Sequence, residues 1–288
     1  MTWRTMLAAA ALALVASPAA RAQQPFRTIT AVRQLHGERA LTVHVDYAAG
    51  QFRLLPGGAG DLYRMEMRYD TTKFTPVRSY DPATGVLRLG LKTLPGQSTW
   101  HAGRRHEPVS SLDIALTPSV PTDLKVNIGA AKADVELGGL ALRTVTYQTG
   151  ASESEVRFSR PNPIGCDSLA FRAGAAEFDA LELGNSGCRE MIFDGGLGAV
   201  TLDFTGEWRR SADATVHVAV GTVKLRLPRD LGVAITVDRF LASFDQSGFT
   251  KRGGVYYTSN YSTSAHRLNL TVQSALGGIE VEWVGDSR

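Results

Sequence analysis

Cysteine is nearly missing from this chain: two among 288 residues. A small secreted scaffold held together by disulfides needs four or more, so that class is excluded. Long apolar runs are missing too. After the first twenty-odd residues no stretch approaches the ~18 apolar residues of a membrane span, and no transmembrane segment is expected in the mature chain. Charge of one sign is also scarce. The formal net charge is +3, and it falls to about +1 once Arg4 and Arg21 are set aside with the amino-terminal segment. A nearly neutral chain with interspersed signs offers no electrostatic footprint for nucleic acid. Helical periodicity is almost absent beyond that segment, and no metal, cofactor or catalytic signature is complete.

What is present begins with "MTWRTMLAAAALALVASPAARA". A positive start, an apolar run from Met6 to about Ala16 and the small-x-small end Ala20-Arg21-Ala22 predict a secretory signal peptide over residues 1–22. The alternative is an uncleaved anchor, for which the apolar run is short. No cysteine follows the cleavage point, so a bacterial lipoprotein signal is not expected. The mature chain of about 266 residues is then exported to the periplasm, cell surface or extracellular space.

The rest alternates over short runs punctuated by Gly, Asp, Asn and Pro, the pattern of an all-β chain. It also repeats. Apolar residues stand five and three places before each of Gly129, Gly150, Gly174, Gly196 and Gly221, and a second alternating run follows each glycine. These glycines lie 21, 24, 22 and 25 residues apart. Strand, glycine corner, strand and return loop at that interval fit one coil of a single-stranded β-solenoid, whose coils bury their apolar faces by stacking. The alternative is a β-sandwich with evenly spaced strands. The predicted division is a smaller, antiparallel N-terminal β domain over 23–119 and a glycine-cornered solenoid over 120–288 with a C-terminal cap. The break falls at Pro118–Pro121. The two runs about Gly277-Gly278 are expected to form a closing hairpin or cap.

The two cysteines fit this period. "CDSLAFRAG" starts at Cys166 and "CREMIFDGG" at Cys188, 22 residues on, so the thiols occupy equivalent positions on successive coils. Adjacent coils lie ~4.8 Å apart, within disulfide reach. Cys166 and Cys188 are therefore expected to pair as a structural staple, two free thiols being the alternative.

Chemistry is sparse. "GGLGAVTLDF" has the outline of a calcium-binding β-roll nonapeptide, but Val200 holds the place of the ligand Asp, so calcium is not expected. His101, His106 and Glu107 in "WHAGRRHEP" match no zinc spacing and read as a solvated loop. "GNSGC" at Gly184 lacks the last glycine of a nucleophile elbow. Asp134, Asp179, Asp194 and Asp203 fall on different coils, with only Asp134 and Asp179 at the same offset from their glycines. No catalytic, cofactor-binding or metal site is assigned. Tyr256, Tyr257 and Tyr261 in "GGVYYTSNYSTS" are a possible recognition surface for glycan or protein, with aromatic packing over the solenoid end as the alternative.

Several stretches together resemble the toast-rack family of candidate bacterial adhesins, domains of unknown function related to the C-terminal domain of cell-envelope antibiotic-response proteins. The resemblance rests on "VDYAAGQFRLLPG", "YRMEMRYDTTKFTPVRSYD", "LKVNIGAAKADVELGGL", "LPRDLGVAITVD" and the closing "GFTKRGGVYYTSNYSTSAHRLNLTVQSALGGIEVEW", and spans about Leu41 to Val284. It implies a solenoid-like β fold in an envelope setting and brings no catalytic residues. The expected function is that of a non-catalytic adhesin or cell-envelope interaction module whose partner is an envelope protein or glycan. The alternatives are a polysaccharide-active solenoid enzyme and an envelope-stress accessory protein that binds a membrane sensor.

Overall fold

The protein is described here by a computed structural model that covers residues 25–97 and 109–285; the predicted signal peptide lies outside the described residues. The local rule is visible in one strand, Thr122–Glu136. Leu124, Val126 and Ile128 are buried, then Ala131, Ala133 and Val135, so the alternation slips by one residue at Gly129-Ala130. In a flat strand such a slip would turn the apolar set out to solvent. Here the chain bends at the slip, and both arms keep their apolar side inward.

In chain order the strands are β1 (Phe26–Gln34), β2 (Leu41–Pro56), β3 (Asp61–Asp70), β4 (Phe74–Asp81), β5 (Val86–Thr93), β6 (Ser111–Leu116), β7 (Thr122–Glu136), β8 (Leu142–Arg157), β9 (Cys166–Leu181), β10 (Cys188–Asp203), β11 (Ala212–Pro228), β12 (Gly232–Phe244), β13 (Thr250–Arg252), β14 (Val255–Tyr257) and β15 (Arg267–Val284). The fold is almost entirely β. One sheet runs β1-β3-β6-β2-β7-β8-β9-β10-β11-β15-β12-β14-β13, with β5 on β2 and β4 on β5. From β2 to β12 every neighbour is parallel. Between the two arms lies a shared core in which Phe178 on the second arm meets Tyr147, Phe171 and Phe193 on the first, with ring centroids 5.1–5.9 Å apart. Burying each such side chain contributes about 1.5–3 kcal/mol.

The sheet runs straight across the expected break at 119/120, because β2 and β7 pair from Leu41↔Thr122 to Leu54↔Val135. The N-terminal part is antiparallel only at β1–β3, β3–β6 and β4–β5. On the other edge of β2, β5 pairs in parallel with Thr42–Tyr47 and β6 with Gln51–Pro56. Two strands far apart in sequence thus supply the two arms of one further layer.

Two expectations are corrected. The five glycines are not one set of equivalent positions. Gly129, Gly150, Gly174 and Gly196 follow one another across the sheet, but Gly221 pairs with Gly198 and Gly277, two residues further along the bend. The runs about Gly277-Gly278 are not a closing hairpin either. They form the single bent strand β15, which lies between β11 and β12, parallel to both. The end is instead covered by β14, which pairs antiparallel with Ala234–Thr236 of β12, and by β13 beyond it.

Cys166 and Cys188 are register partners on β9 and β10, both buried, and they form a disulfide with a Cα–Cα distance of 4.2 Å.

Candidate functional site

Because the arms bend at the same place in every layer, outward side chains line up from strand to strand. One column lies just before the bend: Asp46, Asn127, Gln148, Arg172, Asp194 and His217 sit on β2, β7, β8, β9, β10 and β11 in unbroken register. Neighbours a strand spacing apart, ~4.8 Å, can bridge one another. Asn127 Nδ2 donates to Asp46 Oδ1 at 2.7 Å, His217 Nδ1 lies 3.0 Å from Asp194 Oδ1, and Arg172 Nε lies 3.6 Å from Asp194 Oδ2. Next to this column Gly129, Gly150 and Gly174 leave bare backbone. With these glycines, the five column residues from Asp46 to Asp194 border an open groove of about 650 Å³ that reaches Lys92 and Thr93 beside β2, while His217 stands just beyond it. Half-exposed carboxylate, amide, guanidinium and imidazole groups at a regular interval can hydrogen-bond an elongated polar ligand laid across the strands.

The tyrosines divide. Tyr256 is buried, edge-on to Phe244 at 5.0 Å with Lys251 over its ring, and belongs to the core. Tyr257 and Tyr261 meet edge to face at 5.1 Å, and the Tyr261 hydroxyl donates to Asn269 Oδ1 at 2.8 Å. With Arg252, Thr250, Ser259 and Ser262 they line a second depression of about 500 Å³ beside the β13–β14 cap.

Both features sit on a bent, parallel β stack that opens with antiparallel strands, and the sequence can be compared with known proteins on that footing. Residues 21–163 match the model of the N-terminal domain of toast_rack, DUF2154. The toast_rack match therefore runs from β1 through β8 and takes in the first strands of the parallel stack. Three solved structures cover this chain almost end to end. A candidate cell adhesion protein from Clostridium sporogenes is 16% identical over 90% of this chain and 100% of its own, with a TM-score of 0.48. A candidate adhesin from Bacteroides fragilis is 11% identical over 88% and 97%, with a TM-score of 0.42. A candidate adhesin from Parabacteroides merdae is 11% identical over 90% and 97%, with a TM-score of 0.21. No match is found among curated proteins.

Beyond the toast_rack match, the remaining sequence candidates fall in different places. Asp134 and Asp179 share one outward column of the second arm, and Glu155 stands between them in register. Counting aspartates alone missed that row. Asp194 is on the first arm, in the groove column, and Asp203 is a buried carboxylate held by Arg226 Nη1 at 2.6 Å. Val200 points into the core. "GNSGC" forms a buried 3-10 turn over Leu183–Ser186, where the Ser186 hydroxyl donates to the Leu183 carbonyl at 2.7 Å and is committed to structure. His101, His106 and Glu107 lie outside the described residues. Among the described residues no group of three or more His, Cys, Asp or Glu is placed to hold a metal ion.

Sequence reading missed the groove column altogether. Its members differ in type from strand to strand, so only the offset two places before Gly129, Gly150, Gly174 and Gly196 would have marked them, and that for four of the six.

Proposed function

We propose that this chain is an exported, non-catalytic β-solenoid that acts as an adhesion or cell-envelope interaction module. Residues 23–119 would form its opening unit, joined to the stack through β2, and 120–288 the rest of the stack. The observation that carries this reading is the outward column Asp46 through His217 on six consecutive parallel strands, of which the five residues from Asp46 to Asp194 line a groove floored in part by bare glycine backbone. A stack in which each strand is fixed by two neighbours presents such a row with little entropy left to lose on binding. The regular interval suits a ligand that is itself repetitive and polar, an envelope glycan before a protein. The depression at Tyr257, Tyr261 and Arg252 offers aromatic faces and hydroxyls for a second contact on the same class of ligand.

The test is a glycan array probed with the mature chain, run beside a polysaccharide-degradation screen. Binding that is lost in Gln148→Ala and Arg172→Ala variants, without new reducing ends, supports the reading. Release of reducing-end or unsaturated products overturns it. It would favour a polysaccharide-active enzyme, the reading to which the aligned carboxylates Asp134, Glu155 and Asp179 would then belong.

A further inference from the structure

Along the outside of the bend, large apolar side chains stand in solvent in a single row. Leu197, Val220, Leu276 and Leu241 are register partners on β10, β11, β15 and β12, and they are 57%, 42%, 49% and 63% exposed. Phe240, next to Leu241, is 81% exposed. The five expose on the order of 500 Å² of contiguous apolar surface, the size at which such patches mark interaction sites. The same line continues onto the other half of the stack in another character. Its residues there are Ala49, Ala130, Ala151 and Ala175 on β2, β7, β8 and β9, where Ala175 is the register partner of Leu197. Beside them run Gly129, Gly150 and Gly174, so that half is smooth backbone and methyl groups.

We propose that two copies of this chain associate along this corner in antiparallel fashion, about a two-fold axis that passes between β9 and β10. A two-fold contact requires a self-complementary surface, and the corner is one. Four strands of protruding side chains and four strands of alanine lie on one line and are equal in length. Reversing a second copy therefore lays the ridge of each onto the flat half of the other. Leu197 comes opposite Ala175, Val220 opposite Ala151, Leu276 opposite Ala130, and Leu241 opposite Ala49. Parallel pairing would instead stack ridge on ridge and leave the alanine halves apart. Two ridges and the two flat halves they cover exceed the roughly 1,000 Å² at which specific interfaces begin.

Charge favours the same arrangement at its centre. Arg172 and Asp194, adjacent on β9 and β10 beside the corner, are 3.6 Å apart within one copy. The axis between those strands brings Arg172 of one copy towards Asp194 of the other, which gives four charges of alternating sign. At the far ends Asp238 comes towards Asp46, a repulsion that sets a reversible association rather than an obligate one. The pairing does not rest on the ligand reading given above, and because Gly129, Gly150, Gly174, Arg172 and Asp194 also line the groove, dimer formation and ligand binding there would compete.

Sedimentation velocity of the mature, disulfide-intact chain over a rising concentration series should show a reversible monomer–dimer equilibrium. Leu276→Glu on the ridge and Ala151→Arg on the flat half should each weaken it about a hundredfold, with unchanged thermal unfolding showing that both variants fold. The orientation has its own readout. Val220 and Ala151 lie three strands apart in one copy, roughly 14 Å, too far for a bridge. The double variant Val220→Cys/Ala151→Cys should then give a covalent dimer on non-reducing gels. A chain that stays monomeric throughout overturns the proposal, as does a dimer unaffected by both ridge and flat-half variants. A Val220→Cys single variant that links to itself as readily as the double variant would show ridge on ridge and overturn the antiparallel arrangement. Vesicle binding by the monomer that is lost in Leu276→Glu would assign the ridge to lipid instead.

Discussion

Gly221→Ala should be among the most damaging single-methyl additions to this protein. Gly221 has φ +145°, in a region that is essentially closed to residues with a Cβ. It sits at the bend with Gly198 beside it on β10 and Gly277 beside it on β15. Two costs add. The backbone strain of an alanine there is about 1–3 kcal/mol. A Cβ would also fall on the carbonyl oxygen of Gly198, which is backbone and cannot swing aside. Relief means spreading β10 from β11 at the bend and losing one or two ladder hydrogen bonds at about 1 kcal/mol each. The total is about 4 kcal/mol, which for a chain of this size lowers Tm by roughly 8–16 °C. Gly254→Ala is the control. It too has positive φ, +89°, but its Cβ would meet nothing within 4 Å, so it carries strain alone, about 1 kcal/mol and roughly 2–4 °C. Thermal unfolding followed by circular dichroism, with the disulfide intact, measures both. Equal Tm losses in the two variants would refute the argument that the neighbouring strand's carbonyl sets the cost.

Three further outcomes are expected. Replacing Cys166 and Cys188 together by alanine should cost about 3 kcal/mol in urea unfolding, the chain-entropy value for closing a loop of 22 residues. Two buried tyrosines, both with hydroxyl pKa pushed up chiefly by burial, should part company on truncation to phenylalanine. Tyr147 shares a hydrogen bond of 3.0 Å with Ser154 and should lose about 1 kcal/mol. The Tyr47 hydroxyl has no partner among the described residues, since the nearby Gln51 N–H already donates to the Ser110 carbonyl at 2.9 Å, so Tyr47→Phe should be neutral or stabilising in the same assay. Finally, Asp81 has its pKa lowered first by the Thr84 hydroxyl and then by the Ala83 N–H in the β4–β5 turn. A depressed carboxylate stabilises the fold fully above its ordinary pKa, and that contribution is lost as pH falls through the depressed value. Urea midpoints should therefore fall less on acidification in Asp81→Ala than in the parent, and equal slopes would count against the turn.

The period was legible because each layer spends an apolar alternation on either side of the bend, and alternation survives in a sequence. Cys166 and Cys188 could be related from sequence for the same reason: they lie on adjacent strands with no insertion between the layers. Position within the bend was not legible. It holds two sites for small residues, two places apart, and β10 has glycine at both, Gly196 and Gly198, so alignment by glycine alone slid β11 by two residues. Nor was the layer made of β5 and β6, because its two arms are separated in sequence and carry no shared interval. The groove column escaped notice because solvent-facing positions need only be polar, and six different side chains satisfy that equally well. Tyr256 and Tyr257, adjacent in sequence, point to opposite sides of a short strand, so one is core and its neighbour borders a cavity.

The placement of β15 has a consequence for assembly. The chain makes β12 before β15, yet β15 separates β12 from β11. While β11 and β12 emerge, the gap between them has no occupant, and β12 with its β14–β13 cover has no permanent neighbour until Arg267–Val284 arrives to fill it. β12 and its β14–β13 cover therefore join the stack only through β15, with the tail as keystone rather than fringe. Deleting those last residues would not trim an edge. It would cut the stack in two and release everything that lies beyond.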